Sequence, residues 1–188
     1  MKLILASASP RRRDILDAAK IPYTVCPSRA EESYPPDMPA IRVPELLARR
    51  KAEDVAAAYP EAAVIGADTV VLLDGDLLGK PRDREDARRM LRALSGRSHQ
   101  VVSGIAVVCG GQVRSDTVVT EVHMRPMTDG EIDAYVDRDQ PLDKAGAYGI
   151  QEAAGLFVSH IEGDYYNVVG LPLCRLGQLL TEAGFPLF

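Results

Sequence analysis

The chain has 188 residues, 46% apolar, 26% charged and 5% aromatic, a composition of globular proteins that excludes disordered and fibrous classes. That length suits one domain with a substantial core. Twenty-seven acidic against 22 basic residues give a net charge of −5, which argues against broad nucleic-acid binding but leaves room for a local basic site that takes small anions. Cys26, Cys109 and Cys174 are too far apart for a zinc site, and their odd number reads as reduced thiols, small core residues of a cytoplasmic protein. Residues 1–8 hold too few apolar positions for a secretory segment before Arg11-Arg12-Arg13. No uncharged stretch approaches the roughly 18 apolar residues of a membrane span, so a soluble protein is expected.

Lys2 to Ala6 predicts a short buried strand, and Pro10 to Ala19 a helix with Ser9 as N-cap and proline at the first helical position. A strand near Tyr23 to Cys26 leads into Tyr34-Pro35-Pro36-Asp37-Met38-Pro39, too proline-rich for regular structure and suited to a flap. Pro44 opens a helix to about Ala58. Ala63 to Leu73 is a long apolar strand, broken by Asp74-Gly75, a type I′ hairpin turn, before a return through Leu77 and Leu78. Asp83 to Leu94 is an amphipathic helix, and Val101 to Val108 and Val113 to Val122 flank a second hairpin turn at Gly110-Gly111. Thr128 and Glu131 form a capping box for the next helix. A glycine-punctuated stretch, Ala145 to Gly155, precedes a strand near Leu156 to Ile161, and Pro172 to Ala183 closes the chain as a helix ended by Gly184. Interspersed helices and strands with central hairpins predict an α/β fold around a mixed sheet.

Three places break local rules. Ser7-Ala8-Ser9-Pro10 is followed by Arg11, Arg12 and Arg13 in the first helical turn, where the positive end of the helix disfavours cations by a few tenths of a kcal/mol each. An anion reverses that balance, because hydroxyls and backbone N–H groups cradle phosphate oxygens while guanidinium groups pair with them. Asp68 interrupts an otherwise apolar run, Val64 to Leu73. Burying an unpaired carboxylate there would cost several kcal/mol, so Asp68 needs a metal, a cation or a cleft. Lys51 shares a helical face with Leu47 and Val55, which places it to snorkel or to reach a buried anion. Lys80, in Gly79-Lys80-Pro81, is returned toward the Asp68 strand by the hairpin and suits Asp68 or a phosphate; Gly75 to Lys80 lacks the spacing of a P-loop.

The stretch Asp143 to Gln151 can bring backbone close to a ligand, and Gln151 can read a nucleobase edge through donor and acceptor together. His99, His123 and His160 match no metal spacing and read as structural or exposed. Any metal is then a hard cation on oxygen ligands, and magnesium fits best. There is no serine-hydrolase elbow, dinucleotide glycine motif or zinc-protease motif.

Together, Ser7-Ala8-Ser9-Pro10-Arg11-Arg12, Gly66-Ala67-Asp68-Thr69-Val70-Val71, Gly79-Lys80-Pro81, Leu94-Ser95-Gly96, Asp143 through Gln151 and Asn167-Val168-Val169-Gly170-Leu171-Pro172 resemble the Maf family of nucleotide pyrophosphatases over nearly the whole chain. The resemblance implies a fold like the inosine-triphosphate pyrophosphatases: a single bilobed domain over 1–188, with an elongated mixed sheet, flanking helices and the nucleotide in a central cleft. Lys144 to Gln151 resembles the branch acting on dTTP and UTP. Carried over by motif, Asp68 is the catalytic base, assisted by Lys51 and Lys80. Arg11, Thr69 and Gln151 govern substrate choice, and Ser7, Arg12 and Glu32 complete the pocket, with Glu31 an alternative register for Glu32. Asp68 and Glu32 would hold Mg2+ or another divalent cation such as Mn2+. The expected partner is a nucleoside triphosphate, with no nucleic acid or membrane, and exposed hairpin edges suit a homodimer. Two other readings stay open: a non-catalytic nucleotide sensor linked to cell division, and a 7-methyl-GTP pyrophosphatase.

Overall fold

The computed structural model describes residues 1–187. Leu3, Ile4 and Leu5 are buried in β1 (Lys2–Leu5), which pairs in parallel with β2 (Thr24–Val25) on one side and β3 (Ala62–Leu73) on the other. Asp74 and Gly75, both at positive φ, turn β3 into antiparallel β4 (Asp76–Leu78), as the Asp-Gly dipeptide dictates. Gly110 and Gly111, also at positive φ, join β5 (Ser98–Cys109) to β6 (Gln112–Met124), and β6 pairs antiparallel with β7 (Val158–Glu162). The result is a seven-stranded mixed sheet in the order β2-β1-β3-β5-β6-β7, with β4 on β3.

The helices are α1 (Pro10–Ala18), α2 (Val43–Ala56), α3 (Arg84–Leu94), α4 (Asp129–Asp139), α5 (Tyr165–Val169) and α6 (Leu173–Glu182). Asp83 caps α3 by accepting from the Asp86 backbone N–H at 2.8 Å. The Thr128–Glu131 capping box forms in full at α4. Differences from expectation are local. Leu156 and Phe157, read as strand onset, instead close a 3-10 turn over Ala153–Phe157 that leaves Leu156 exposed before β7 begins, because Gly155 and two alanines favour a tight turn. Helix α5 lacks the periodic signal that marks longer helices. The cysteines are not core residues: Cys26 and Cys109 are half-buried and Cys174 is exposed, all as free thiols. Among the described residues no helix is long and apolar enough to cross a membrane.

The chain divides into two compact units, to both of which β3, β5 and β6 contribute. The first holds Met1–Thr69, Ser103–Val118 and the described residues from Gly170 onward. In it Ala48, Ala52 and Val55 of α2 pack on Ile4, Val64 and Ala106. The contact is backbone against backbone: a Cβ added at Gly66 would lie 2.0 Å from the Ala48 carbonyl oxygen, and one at Gly104 would lie 2.1 Å from the Pro44 carbonyl carbon. The N-terminal turn of α2 is pinned by Glu45, which accepts from Ser115 Oγ at 2.7 Å and Thr117 Oγ1 at 3.1 Å. The second unit, Val70–Val102 and Val119–Val169, buries Met90, Leu91 and Leu94 of α3 and Ile132, Tyr135 and Val136 of α4 with Val71, Val101 and Val122 of the sheet.

Gly66→Ala forces α2 off β3 and is expected to lower stability by about 2–3 kcal/mol. Gly130→Ala, whose added Cβ meets nothing within 4 Å, should be neutral or stabilising, and urea midpoints compare the two. His99 of the second unit is buried against Tyr148 Oη at 2.7 Å, and desolvation pushes its pKa from 6.5 down to about 4. The unfolded chain therefore takes up this proton first as pH falls. Stability is full above about pH 6.5, declines toward pH 4, and at pH 5 is lower by about 2 kcal/mol from this group. His99→Gln should flatten that part of the urea-midpoint pH profile.

Candidate active site

The connection from β1 to α1 places Ser7, Arg11 and Arg12. Ser9 at the N-cap makes no side-chain cap; its backbone N–H donates to Ser7 Oγ at 3.2 Å, and the first turn of α1 holds no acid. Ser7 is buried, and Arg11 and Arg12 are half-buried. The Arg12 guanidinium spreads over three acceptors: Nε donates to the Gly170 carbonyl at 2.8 Å, Nη1 to Ser7 Oγ at 3.0 Å and Nη2 to Thr69 Oγ1 at 3.4 Å. Thr69 Oγ1 also lies 2.8 Å from Ser103 Oγ and donates to the Gly170 carbonyl at 3.4 Å. Burial lowers the Arg12 pKa and neighbouring Arg11 lowers it further, while the carboxylates of Asp68 and Glu32 act the other way. A desolvated cation held by neutral acceptors at a helix N-terminus is prepared for an anion.

The second network begins one residue before Thr69. Asp68 and Thr69 are the two half-buried positions in a strand otherwise buried throughout. Lys51 reaches from α2 to Asp68, Nζ to Oδ1 at 2.7 Å, with the lysine side chain 13% and the aspartate 15% exposed. The same ammonium holds Glu32 Oε1 at 2.7 Å. Thus the cation that Asp68 requires is Lys51, and Glu32 of the Glu31-Glu32 pair is the one that meets it.

Glu32 stands on a non-regular segment that is tied to α2. Asp54 accepts from Ser28 Oγ at 2.7 Å and from the Arg29 backbone N–H at 2.8 Å, while Arg50 donates to the Ser33 carbonyl. Sequence reasoning missed Ser28, Asp54 and Arg50, along with Ser103 and the Gly170 carbonyl. Asp54 lies one turn beyond Lys51 on α2, but no spacing rule links it to residue 28.

Lys80 and Gln151 belong to the second unit, and both are exposed. Lys80 lies two residues beyond the end of β4. Gln151 follows an anchored segment rather than a plain surface loop. There Lys144 is buried between Asp143 at 2.9 Å and Glu152 at 3.2 Å, and the Gly146 N–H donates to the Gly79 carbonyl at 3.1 Å. A Cβ at Gly146, which has φ 68°, would touch Val71 at 3.0 Å. Backbone close approach thus explains this glycine.

Two carboxylate oxygens meet at one positive charge, beside hydroxyls and a guanidinium group, and these are the donor types that hard cations and anions take. Arg12→Lys keeps the charge but cannot serve three acceptors in the geometry of the guanidinium fork. We expect it to cost about 1–3 kcal/mol of stability in urea denaturation, from hydroxyls and a carbonyl each left with one donor fewer.

A family model described as Maf-like protein matches residues 2–183. A protein of Symbiobacterium thermophilum named dTTP/UTP pyrophosphatase is 50% identical over 188 residues, covering 100% of this chain and 96% of its own. Proteins of the same name from Halalkalibacterium halodurans and Salinibacter ruber are 46% and 51% identical over 97% and 96% of this chain, and over 96% and 90% of their own. The solved Staphylococcus aureus Ham1 protein overlaps 66% of this chain and 72% of its own at 17% identity, with a TM-score of 0.49, a likeness too weak to carry an argument. Coverage from residue 2 to residue 183 and identities near one half place the chain in the Maf family.

Proposed function

We propose that the protein is a nucleoside triphosphate pyrophosphatase that hydrolyses the α–β phosphoanhydride of dTTP and UTP to the monophosphate and pyrophosphate. One observation carries this reading: the Asp68–Lys51 pair interrupts the buried strand β3 immediately beside Thr69, which is hydrogen-bonded to Arg12 of the arginine-rich helix start. The Maf relatives named dTTP/UTP pyrophosphatase support the substrate class.

In this reading Asp68 accepts a proton from the attacking water. The water oxygen bonds to the α-phosphorus as the bond from phosphorus to the bridging oxygen breaks, pyrophosphate leaves with the electron pair, and Asp68 returns its proton to solvent. Lys51 holds the carboxylate in place. Arg11, Arg12 and Lys80 neutralise the polyphosphate. At an effective dielectric near 20, one cation about 4 Å from a phosphate oxygen contributes roughly 4 kcal/mol before desolvation. Ser7 and Thr69 offer hydroxyls to the phosphates, and Gln151 reads the base. The carboxylates of Asp68 and Glu32 fit Mg2+ or Mn2+, which when bound would polarise the polyphosphate and the water.

The test is a nucleotide panel run with and without Mg2+ on the wild type and on Asp68→Asn, with pyrophosphate and orthophosphate measured separately. dTTP and UTP should yield pyrophosphate without orthophosphate, only with the cation. Asp68→Asn should keep its circular-dichroism spectrum while turnover falls at least about 100-fold. Retained turnover removes Asp68 as base, orthophosphate release moves the bond that is cut, and a preference for 7-methyl-GTP or binding without turnover replaces the substrate or the reaction.

A further inference from the structure

We propose that the open face of the β6–β7 ladder is a binding site for a transition-metal dication of the zinc class, formed by His123, His160 and Glu162 with Glu121 beside them. The three histidines are scattered in the sequence, but strand register changes what two of them can do. His123 pairs directly with His160 and Glu121 with Glu162, while Val122 pairs with Ile161 between them. Side chains alternate across a strand. The two imidazoles and two carboxylates therefore form a two-by-two patch on one face, opposite the face that carries buried Val122.

The donor atoms of His123, His160 and Glu162 all lie within 4.8 Å of one another. Glu162 Oε1 is 3.0 Å from His123 Nε2 and 3.7 Å from His160 Nε2, and Glu121 Oε1 is 3.7 Å from His123 Nε2. Ligands about 2.0–2.1 Å from a tetrahedral zinc stand roughly 3.3–3.4 Å apart, a separation these distances bracket. The imidazole rings are stacked, 3.9 Å between centroids and 11° from parallel, so small rotations of partly exposed side chains would converge their Nε2 atoms.

Hydrogen bonding also bears on which ring nitrogen is available. Ser159 Oγ donates its one proton to the His123 carbonyl at 3.0 Å and lies 3.4 Å from His160 Nδ1. An acceptor at that place suits a proton on Nδ1, the tautomer that would leave Nε2 to a metal. The carboxylates of Glu121 and Glu162 face these imidazoles, and imidazole nitrogen selects zinc-class ions over magnesium. All four residues lie in the second unit, outside the acid–lysine network. Bound metal would tie β7, the terminal strand of the sheet order, to β6.

Isothermal titration of the full chain with ZnCl2 in saturating MgCl2 tests this site. The wild type is expected to bind one zinc more per chain than His160→Ala, and His123→Gln to weaken that site at least about tenfold. Zinc should raise the thermal midpoint of the wild type and leave that of His160→Ala unmoved. His160 is 58% exposed on its side chain, so the variant should fold. Neither histidine belongs to the phosphate or acid network, so rates with Mg2+ should be unchanged in the zinc-free variants. Identical isotherms for wild type and His160→Ala, or no zinc uptake by the wild type, would overturn the proposal.

Discussion

The backbone of α2 lies against β3 and β5 at a distance that leaves no room for a side chain at residues 66 and 104. Only glycine permits that approach, and the position of Lys51 follows from it. With Ala48 and Ala52 flush against the sheet, Lys51, which lies between them in the helix, extends its ammonium to Asp68 at 2.7 Å. Small residues at the contact and a long cationic one beside it are a consistent pair: the first set the interaxial distance, and the second spans what remains. The same helix tethers the segment bearing Glu32 through Asp54 and Arg50. One helix placement thus supplies the acid's partner and the second acid.

Preorganisation runs through the rest of the first unit. Ser7, Thr69 and the Gly170 carbonyl, gathered from three separate parts of the chain, hold the Arg12 guanidinium. Charged groups held this way need little rearrangement when charge develops on a ligand, and that makes fixed electrostatics effective in catalysis. The arrangement also removes the anomaly of Arg12 at a helix start, since neutral oxygens satisfy its guanidinium.

The second unit has its own core and two polar devices of different kinds. One is buried Lys144 between Asp143 and Glu152, which stiffens the glycine-bearing stretch before Gln151. The other is the imidazole–carboxylate patch on β6 and β7. Carboxylates with hydroxyls stand in the first unit and imidazoles with carboxylates in the second, so the chain presents hard and borderline donor sets in separate places.

The amino-acid sequence by itself determined the elements whose signals are local. These are the hairpins at Asp74-Gly75 and Gly110-Gly111, the Thr128–Glu131 cap, the long helices and the anomalous placement of Arg12, Lys51 and Asp68. Turn chemistry, capping and periodicity act over a few residues and so leave their mark in the string itself. Tertiary structure alone decided that Lys51 serves Asp68, that Glu32 joins them, that Gly170 and Ser103 complete the Arg12–Thr69 network, and that two histidines 37 positions apart in the numbering are cross-strand neighbours. Those outcomes depend on strand register and on the distance between a helix and a sheet. Residues far apart in the chain set both jointly, through the core they bury together.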